Sequence, residues 1–300
     1  MTHRGIVVGV DGSPSSCVAV RWAAHEAAMR NVVLTVVHVI GAPAWDLVAL
    51  GGPVAPIQTE PTQRQAQEAR KVIDDAVEVV RSSTESGTRP RVVAEVFFAG
   101  TVPTLVDLSG DAHLVVVGRR GGGPLKGLLH RVLLGSVSTG LVHHGNCPVA
   151  VIHDEAPLAL EPWPLPVVLG IDGSPASELA TAIAFDEASR RGVELVALHA
   201  WTGAGTSDVG DRVWTGRQAQ AEEALAERLA GWQESYPDVD VRRRLVWNHP
   251  AGHLLEEAEF AQLVVVGSRG RGGFAGMLLG SVSTAVVQEA PVPVIVARLR

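Results

Sequence analysis

Cysteine is scarce in this chain of 300 residues, which contains only Cys17 and Cys147. A small secreted domain held together by disulfides needs a set of paired cysteines, so the sequence excludes that class and fits a reducing compartment. The chain also lacks a signal-peptide pattern at its N-terminus and any apolar run of the ~20 residues that cross a bilayer. We therefore expect a cytoplasmic protein without a membrane partner.

An excess of positive charge is also absent. The formal net charge is −7, and such a chain has no general attraction for nucleic acid or for an anionic membrane surface. Charged residues make up 19% of the chain and hydrophobic residues 46%, a composition that predicts buried sheets rather than disorder. We expect no nucleic-acid partner, and any site for an anion must be local.

The sequence does contain an internal duplication. The run IVVGVDGSP, which begins at Ile6, aligns without a gap on VVLGIDGSP, which begins at Val167, and LLGSVST recurs at 133–139 and 278–284. Because 300 residues exceed what one hydrophobic core usually organises, the repeat predicts two domains, at 1–153 and 167–300. The segment between them, 154–166, carries four prolines and is predicted to be an extended linker.

Apolar runs alternate with helical patterns in each copy. Short runs such as Ile6–Val10 and Leu114–Val117 have no polar side chains, which is typical of parallel strands covered on both faces. Helices are predicted from Pro14 onward, over Gln63–Arg81 and over Leu133–His143. We predict an α/β fold of two tandem doubly wound domains, each a five-stranded parallel sheet in the order 3-2-1-4-5 with helices on both faces.

A glycine-rich loop follows the fourth strand of the second copy, in VVVGSRGRGGFAGMLLGSVST at 264–284. Ligands of open α/β sheets lie beyond the carboxyl ends of the strands, where the strand order reverses. Glycines allow close approach of the backbone, and a helix that begins at Gly280 and Ser281 offers free N–H groups to a phosphate. The Ser281 hydroxyl is expected to cap that helix or to donate to the phosphate. The same loop also fits a plain tight turn, with Arg269 and Arg271 as solvated charges.

An acidic residue follows the first strand in both copies: Asp11 in GVDGSP and Asp172 in GIDGSP. With the order 3-2-1-4-5 the first and fourth strands are neighbours, so Asp172 is expected to face the glycine loop. A carboxylate there accepts hydrogen bonds from an adenine amine or a ribose hydroxyl and repels a phosphate. The alternative is a helix cap or an Asx-turn. A ligand whose base and ribose lie near the aspartate and whose phosphates lie at the helix start is a nucleotide.

The chain resembles a tandem universal stress protein, and the resemblance covers essentially all of its length. The nucleotide signature of that family is a glycine, two residues, a glycine, nine residues and then Gly-Ser or Gly-Thr, and the run from Gly267 to Ser281 matches it. The resemblance implies ATP as the cofactor, with or without Mg²⁺. In the second copy it implies these binding residues: Gly170, Asp172 and the backbone near Ala200 for the base, Gly267 for the ribose, Gly270, Gly280, Ser281 and Val282 for the phosphates, and Ser268 and Arg269 beside them.

The first copy departs from this signature, because thirteen residues separate Gly121 from Gly135. The insertion adds Lys126, His130 and Arg131, and Arg131 is expected to reach a phosphate. Loop closure tolerates such an insertion, while the geometry of the phosphate site leaves binding in this copy open. The corresponding residues are Gly9, Asp11, Val39, Gly118, Arg119, Gly121, Arg131, Gly135, Ser136 and Val137.

The sequence favours binding over turnover. It contains no GxxxxGK[ST] motif, no clear second acid after the glycine loop and no convincing metal site, so no catalytic residue is assigned. We predict an ATP-binding stress-response or regulatory protein whose nucleotide occupancy tunes conformation or assembly. A slow ATPase or phosphotransferase and a scaffold with decayed sites are the alternatives. The resemblance also implies a homodimer of tandem chains.

Overall fold

The computed structural model describes residues 3–41, 61–83, 89–119, 134–153, 164–201, 211–271 and 278–298, with the backbone alone at 211–217. These residues form two compact units, one up to residue 153 and the other from residue 164. The predicted linker lies outside the described residues except for positions 164–166. Within these ranges, no helix is both long enough and apolar enough to cross a membrane.

The first unit has a parallel sheet in the order β3-β2-β1-β4-β5. Strand β1 lies at its centre, where Ile6 pairs with Leu34 on one side and Leu114 on the other. The predicted α/β class and strand order are confirmed. The strands are β1 (Ile6–Val10), β2 (Leu34–Ile40), β3 (Val92–Phe98), β4 (Leu114–Gly118) and β5 (Val149–Ile152).

Helix pairs cover the sheet of the first unit. The first two helices pack against each other, as do the next two, and each pair contacts the strands. The fourth helix begins at Ser136 rather than at the predicted Leu133, because Gly135 has the extended backbone of an N-cap, with φ −64 and ψ 155. The helices are α1 (Pro14–Arg30), α2 (Gln63–Ser83), α3 (Thr101–Ser109) and α4 (Ser136–His144).

The second unit repeats this architecture, with a parallel sheet in the order β8-β7-β6-β9-β10. Its core includes Phe185, which is fully buried and lies with its ring centroid 6.0 Å from that of Trp232. The strands are β6 (Val167–Gly170), β7 (Leu195–Trp201), β8 (Val241–Trp247), β9 (Leu263–Gly267) and β10 (Val294–Ala297). The helices are α5 (Pro175–Arg191), α6 (Asp211–Ser235), α7 (Pro250–Ala258) and α8 (Ser281–Glu289).

The Ser-Pro pairs shared by the two copies begin the helices that follow the central strands. The Ser13 hydroxyl accepts from the backbone N–H of Ser16, and Ser174 does the same for Ser177, each at 3.2 Å. Proline occupies the first helical position, where a missing N–H costs nothing. Capping therefore fixes the turn between strand and helix that carries the repeated aspartate of each copy.

A buried ion pair lies near the end of each of these two helices. Glu187 is fully buried and pairs with Arg191, whose side chain is 7% exposed. Glu26 is likewise fully buried and lies 3.5 Å from Arg30. In both copies the glutamate precedes an alanine, and each ion pair joins two residues of the same helix, four positions apart.

Candidate functional site

The acidic wall of the second unit is built by Asp172, which follows β6. Its carboxylate accepts from the backbone N–H of Ser174 at 2.9 Å through Oδ1 and from the backbone N–H of Arg271 at 3.0 Å through Oδ2. The first bond makes an Asx-turn, and the second reaches the glycine loop 99 residues along the chain. The two sequence interpretations of Asp172 are thus compatible, since one carboxylate serves both the turn and the loop.

The turn after β6 is bonded to the same loop by a second side chain. The Ser174 hydroxyl, besides capping α5, donates to the carbonyl of Arg269 at 2.9 Å. Ser177 Oγ accepts from the backbone N–H groups of Asp172 at 3.0 Å and Gly173 at 3.3 Å. These bonds hold the strand-to-helix turn and the start of the glycine loop as one rigid wall.

The phosphate end of the candidate site is the start of α8. Gly280 is the N-cap, no side chain caps the helix, and the first N–H bonded back to Gly280 is that of Thr284. Among the described residues, the backbone N–H groups of Ser281, Val282 and Ser283 have no acceptor. Ser281 is exposed and does not cap the helix, so only the second of its two expected roles remains. Three unpaired amides at a helix start bind an anion well.

The second serine of GSVST fixes where these amides lie. Ser283 Oγ donates to the carbonyl of Gly267 at 2.6 Å, and the backbone N–H of Gly280 donates to the carbonyl of Ser268 at 2.8 Å. Both bonds tie the helix start to the end of β9. Sequence reasoning did not assign Ser283 a role, although its identity in the two copies was the available signal. In the first unit, the Ser138 hydroxyl lies 3.2 Å from the carbonyl of Gly118, the counterpart of Gly267, and 2.8 Å from the carbonyl of Arg119.

Two glycines of the signature are required by close packing. A Cβ on Gly267 would lie 2.8 Å from the backbone carbon of Ala176, because α5 begins directly against the end of β9. A Cβ on Gly270 would collide with the Asp172 carboxylate. The glycine pattern therefore has a structural cause, which is that the loop lies against the turn after β6.

The residues predicted to bind the base differ in how closely other side chains pack against them. The space beside Gly170 is closed, since a Cβ there would lie 3.1 Å from Leu254 Cδ1 of α7, and the corresponding distance at Gly9 is 3.2 Å to Leu105 Cδ1 of α3. Packing against these helices already requires a small residue. The backbone of Ala200 continues β7 next to His199, in register with Val246 of β8.

A histidine that occupies equivalent positions in the two copies, His38 and His199, belongs to this wall in the second unit. His199 Nδ1 donates to the carbonyl of Ile171 at 2.7 Å, immediately before Asp172. Because a carbonyl only accepts, Nδ1 carries the proton and Nε2 is left as an acceptor in the neutral ring. Burial is the main cause that lowers the pKa of His199; the charges of Arg228 and Arg271 lower it further, while the Ile171 bond and Asp172 oppose them. We conclude that His199 is neutral at pH 7.

The first unit has the same elements with a different bonding pattern. Asp11 Oδ1 accepts from the backbone N–H of Ser13 at 3.0 Å and from its hydroxyl at 2.5 Å. His38 Nδ1 donates to the carbonyl of Val10 at 2.8 Å, as His199 does in the second unit. Val39 follows His38 on β2, in register with Phe97 of β3.

The start of α4 in the first unit resembles the start of α8. Gly135 caps α4 without a side-chain bond, and its N–H donates to the carbonyl of Arg119 at 2.9 Å. The next two residues, Ser136 and Val137, begin α4 as their counterparts begin α8. Close packing again requires the strand-end glycine, since a Cβ on Gly118 would lie 2.7 Å from Ser15 Oγ. The predicted residues of the insertion lie outside the described residues: Gly121, Lys126, His130 and Arg131.

The geometry separates acceptors from donors. The Asp172 carboxylate lies after β6 and the His199 imidazole lies on β7, and both are acceptors, whereas unpaired amides lie at the start of α8. A ligand with a polar, donor-bearing end and an anionic end fits such an arrangement. Within the described part of the chain, no group of three or more His, Cys, Asp and Glu side chains is placed to hold a metal ion.

Known sequences and structures resemble the chain over its whole length. A universal stress protein of Mycobacterium tuberculosis is 51% identical over 294 residues, which are 98% of this chain and 96% of that protein. One from Mycolicibacterium smegmatis is 50% identical over 299 residues, or 100% of this chain and 98% of the relative. A solved universal stress protein from Archaeoglobus fulgidus has a TM-score of 0.67 at 21% identity and covers 99% of both chains, which supports the fold.

The two units correspond to two separate family matches. The profile of the universal stress protein family matches residues 2–153 and again residues 165–298. Both matches include the aspartate after the first strand and the Gly-Ser that begins the last helix. The chain therefore belongs to the universal stress protein family, with one family domain in each half.

Proposed function

We propose that the chain is an ATP-binding regulatory protein of the stress response, in which nucleotide occupancy tunes conformation or assembly. The observation that carries the proposal is in the second unit. The Asp172 carboxylate and the three unpaired amides of α8 border one glycine loop, and Ser174 and Ser283 hold that loop from its two sides. Membership of the universal stress protein family agrees with the stress-response part of the proposal.

Each end of the site suits one part of the nucleotide. Asp172 and the backbone at Ala200 offer acceptors and donors to the base and ribose. The amides of Ser281 and Val282 offer unpaired donors and the helix dipole to the phosphates. The exposed Arg269 adds positive charge on the phosphate side, and Mg²⁺, where it accompanies ATP, is carried by the phosphate oxygens.

We extend the proposal to the first unit. Asp11 follows β1, and the start of α4 has the same bare N-cap as the start of α8. His38 bonds the carbonyl before Asp11 as His199 bonds that before Asp172. The expected stoichiometry is therefore two nucleotides per chain.

The hydrogen bonds that Asp172 accepts favour binding of ATP over its hydrolysis. Both of its oxygens already accept backbone N–H groups, at 2.9 and 3.0 Å. A general base, or an acid that holds the metal of a phosphoryl-transfer reaction, needs a carboxylate directed at the phosphates. Asp172 instead holds the turn and the glycine loop, so we expect retention of ATP without rapid hydrolysis.

The decisive experiment identifies what the purified chain carries. Protein is denatured, released nucleotides are identified by chromatography and mass spectrometry, and the amount per chain is measured. Ser136→Glu and Ser281→Glu each place a carboxylate at the start of one helix, where it repels a phosphate, so each variant is expected to lose one nucleotide. Ser235→Glu, an exposed serine at the end of α6, is the matched control and should retain both.

Three further results separate the alternatives. A wild-type chain that carries no nucleotide and shows no heat of binding with ATP contradicts the proposal and favours a scaffold. Phosphate release above that of the Ser136→Glu, Ser281→Glu double variant favours an ATPase. Sedimentation with and without ATP tests the proposed effect on assembly, for which we expect a homodimer of chains.

A further inference from the structure

Arg228 of α6 reaches the turn that follows β6. Its guanidinium fills the position that a Cβ would occupy on Gly173, a residue with a left-handed φ of +75. The positive charge of Arg228 also acts on His199 and lowers its pKa, although burial is the larger cause. The guanidinium therefore lies over the turn that carries Asp172, at the predicted base end of the candidate site.

The guanidinium of Arg228 has no protein partner in the part of the chain that the structure describes. No hydrogen bond and no ion pair engages it, although the side chain is half-buried and carries five N–H donors. Ordering an arginine side chain costs conformational entropy, which a bonding partner normally offsets. An arginine held over such a turn without a partner is expected where a ligand supplies the missing contact.

The first unit has a valine at the corresponding place. A Cβ on Gly12, the counterpart of Gly173, would lie 3.1 Å from Val72 Cγ2 of α2. Val72 thus takes the place that Arg228 takes in the second unit. The two candidate sites therefore differ in charge and in shape at the base end, in addition to the difference in the length of their glycine loops.

We propose that Arg228 contacts the ligand of the second site by packing its planar guanidinium against the purine base, and that the first site lacks this contact. The inference rests on the proposed ATP-binding function. A guanidinium packs well on the face of an aromatic ring, and the purine base is the aromatic part of ATP. The two sites consequently bind ATP with unequal affinity, because only the second offers this surface.

Calorimetric titration of the full chain with ATP tests the assignment. The Ser136→Glu background removes the first site, so the remaining heat reports the second. In that background Arg228→Val, which installs the residue of the first unit, is expected to raise the Kd for ATP about tenfold. Inorganic tripolyphosphate, which has no base, should bind the parent and the variant with the same Kd.

Arg228→Lys separates a planar contact from a charge. Lysine keeps the charge but has no flat face, so its Kd for ATP should lie close to that of Arg228→Val. A Kd for ATP that stays within twofold of the parent in both variants overturns the assignment to the base. An equal loss for ATP and tripolyphosphate also overturns it, because Arg228 would then act on the phosphates.

The controls keep this test distinct from that of the proposed function. Absence of ATP binding in the Ser136→Glu parent would refute the proposed function of the second site itself. Thermal melting of each variant establishes folding, and if Arg228→Val melts early, the Kd of Arg228→Lys decides the assignment. The reciprocal Val72→Arg in a Ser281→Glu background is expected to lower the Kd of the first site.

Discussion

Replacement of Asp172 by asparagine is the substitution that most directly tests how the site is built. The carboxylate accepts two backbone N–H groups, one on each oxygen, from Ser174 and Arg271. An asparagine side chain has one oxygen and one NH₂ group, so it accepts only one of these donors. Whichever way the amide is turned, its NH₂ group faces the other N–H. The exchange therefore removes one bond and sets two donors against each other.

The size of the effect follows from these two bonds. A hydrogen bond to a charged group contributes about 1.5–3 kcal/mol when it is buried, and we take about 1 kcal/mol for each bond here because Asp172 is half-buried. Losing one bond and weakening the other costs about 1.5 kcal/mol, which lowers the equilibrium constant for the loop conformation that is bonded to residue 172 about tenfold. Loss of the charged acceptor for the nucleotide adds about another factor of ten.

Two measurements check this prediction in the full chain with Ser136→Glu. Calorimetry should show the Kd for ATP about a hundredfold higher in Asp172→Asn. Hydrogen exchange in the absence of nucleotide should show faster exchange at the amide of Ser174 or of Arg271, whichever of the two faces the asparagine NH₂ group. Asp238→Asn is the control, since among the described residues that carboxylate accepts a hydrogen bond from the Ser189 hydroxyl alone, at 2.6 Å, and it should leave both quantities unchanged. Unaltered affinity together with unaltered exchange at both Ser174 and Arg271 would refute the reasoning.

Three more predictions concern the second unit. Glu187→Ala leaves Arg191 buried without its partner, so urea unfolding should show a loss of about 3–5 kcal/mol, and a loss below about 1 kcal/mol would contradict the buried-pair interpretation. Burial lowers the pKa of His199 below its ordinary 6.5, so as the pH falls the unfolded chain binds the extra proton before the folded chain does. The contribution of His199 to stability is therefore complete above about pH 6.5 and is lost as the pH falls toward the folded pKa. His199→Asn, which keeps a donor, should flatten this part of the stability curve, and an unchanged slope would exclude His199 as its source. Gly267→Ala should destabilise by about 1–3 kcal/mol because its Cβ meets backbone, whereas Gly231→Ala, in open space on α6, should be neutral or stabilising in the same melt.

Much of the fold followed from local pattern. Apolar runs without polar side chains predicted parallel strands, and the Ser-Pro pairs predicted where α1 and α5 begin. Where the prediction was wrong, at the start of α4, the apolar Leu133 extended the helical pattern past the glycine that in fact caps the helix. Periodicity does not register such a cap, because one residue with an extended backbone changes no hydrophobic face.

The candidate site was predictable in part. The aspartate after the first strand and the glycine spacing were visible because both are short-range signals, and the strand order placed them opposite each other. Ser283 and His199 were missed as site residues, since each acts by bonding a main-chain carbonyl of another element, of Gly267 and Ile171 respectively. Any serine or histidine at those positions looks the same in sequence, whether or not a carbonyl lies within reach.

The sequence by itself determined the duplication, the alternation of strands and helices, and the placement of an acidic and a glycine-rich segment at the carboxyl ends of neighbouring strands. Those properties depend on residue type and spacing, which determine which face of an element is buried. Only the tertiary structure decided that Asp172 bonds the amide of Arg271 and that Arg228 covers Gly173 where the first unit has a valine. These two contacts join residues that lie 55 positions apart (173 and 228) and 99 positions apart (172 and 271). They depend on how closely the packing of elements brings a side chain to a particular backbone group, and no local sequence pattern encodes that distance.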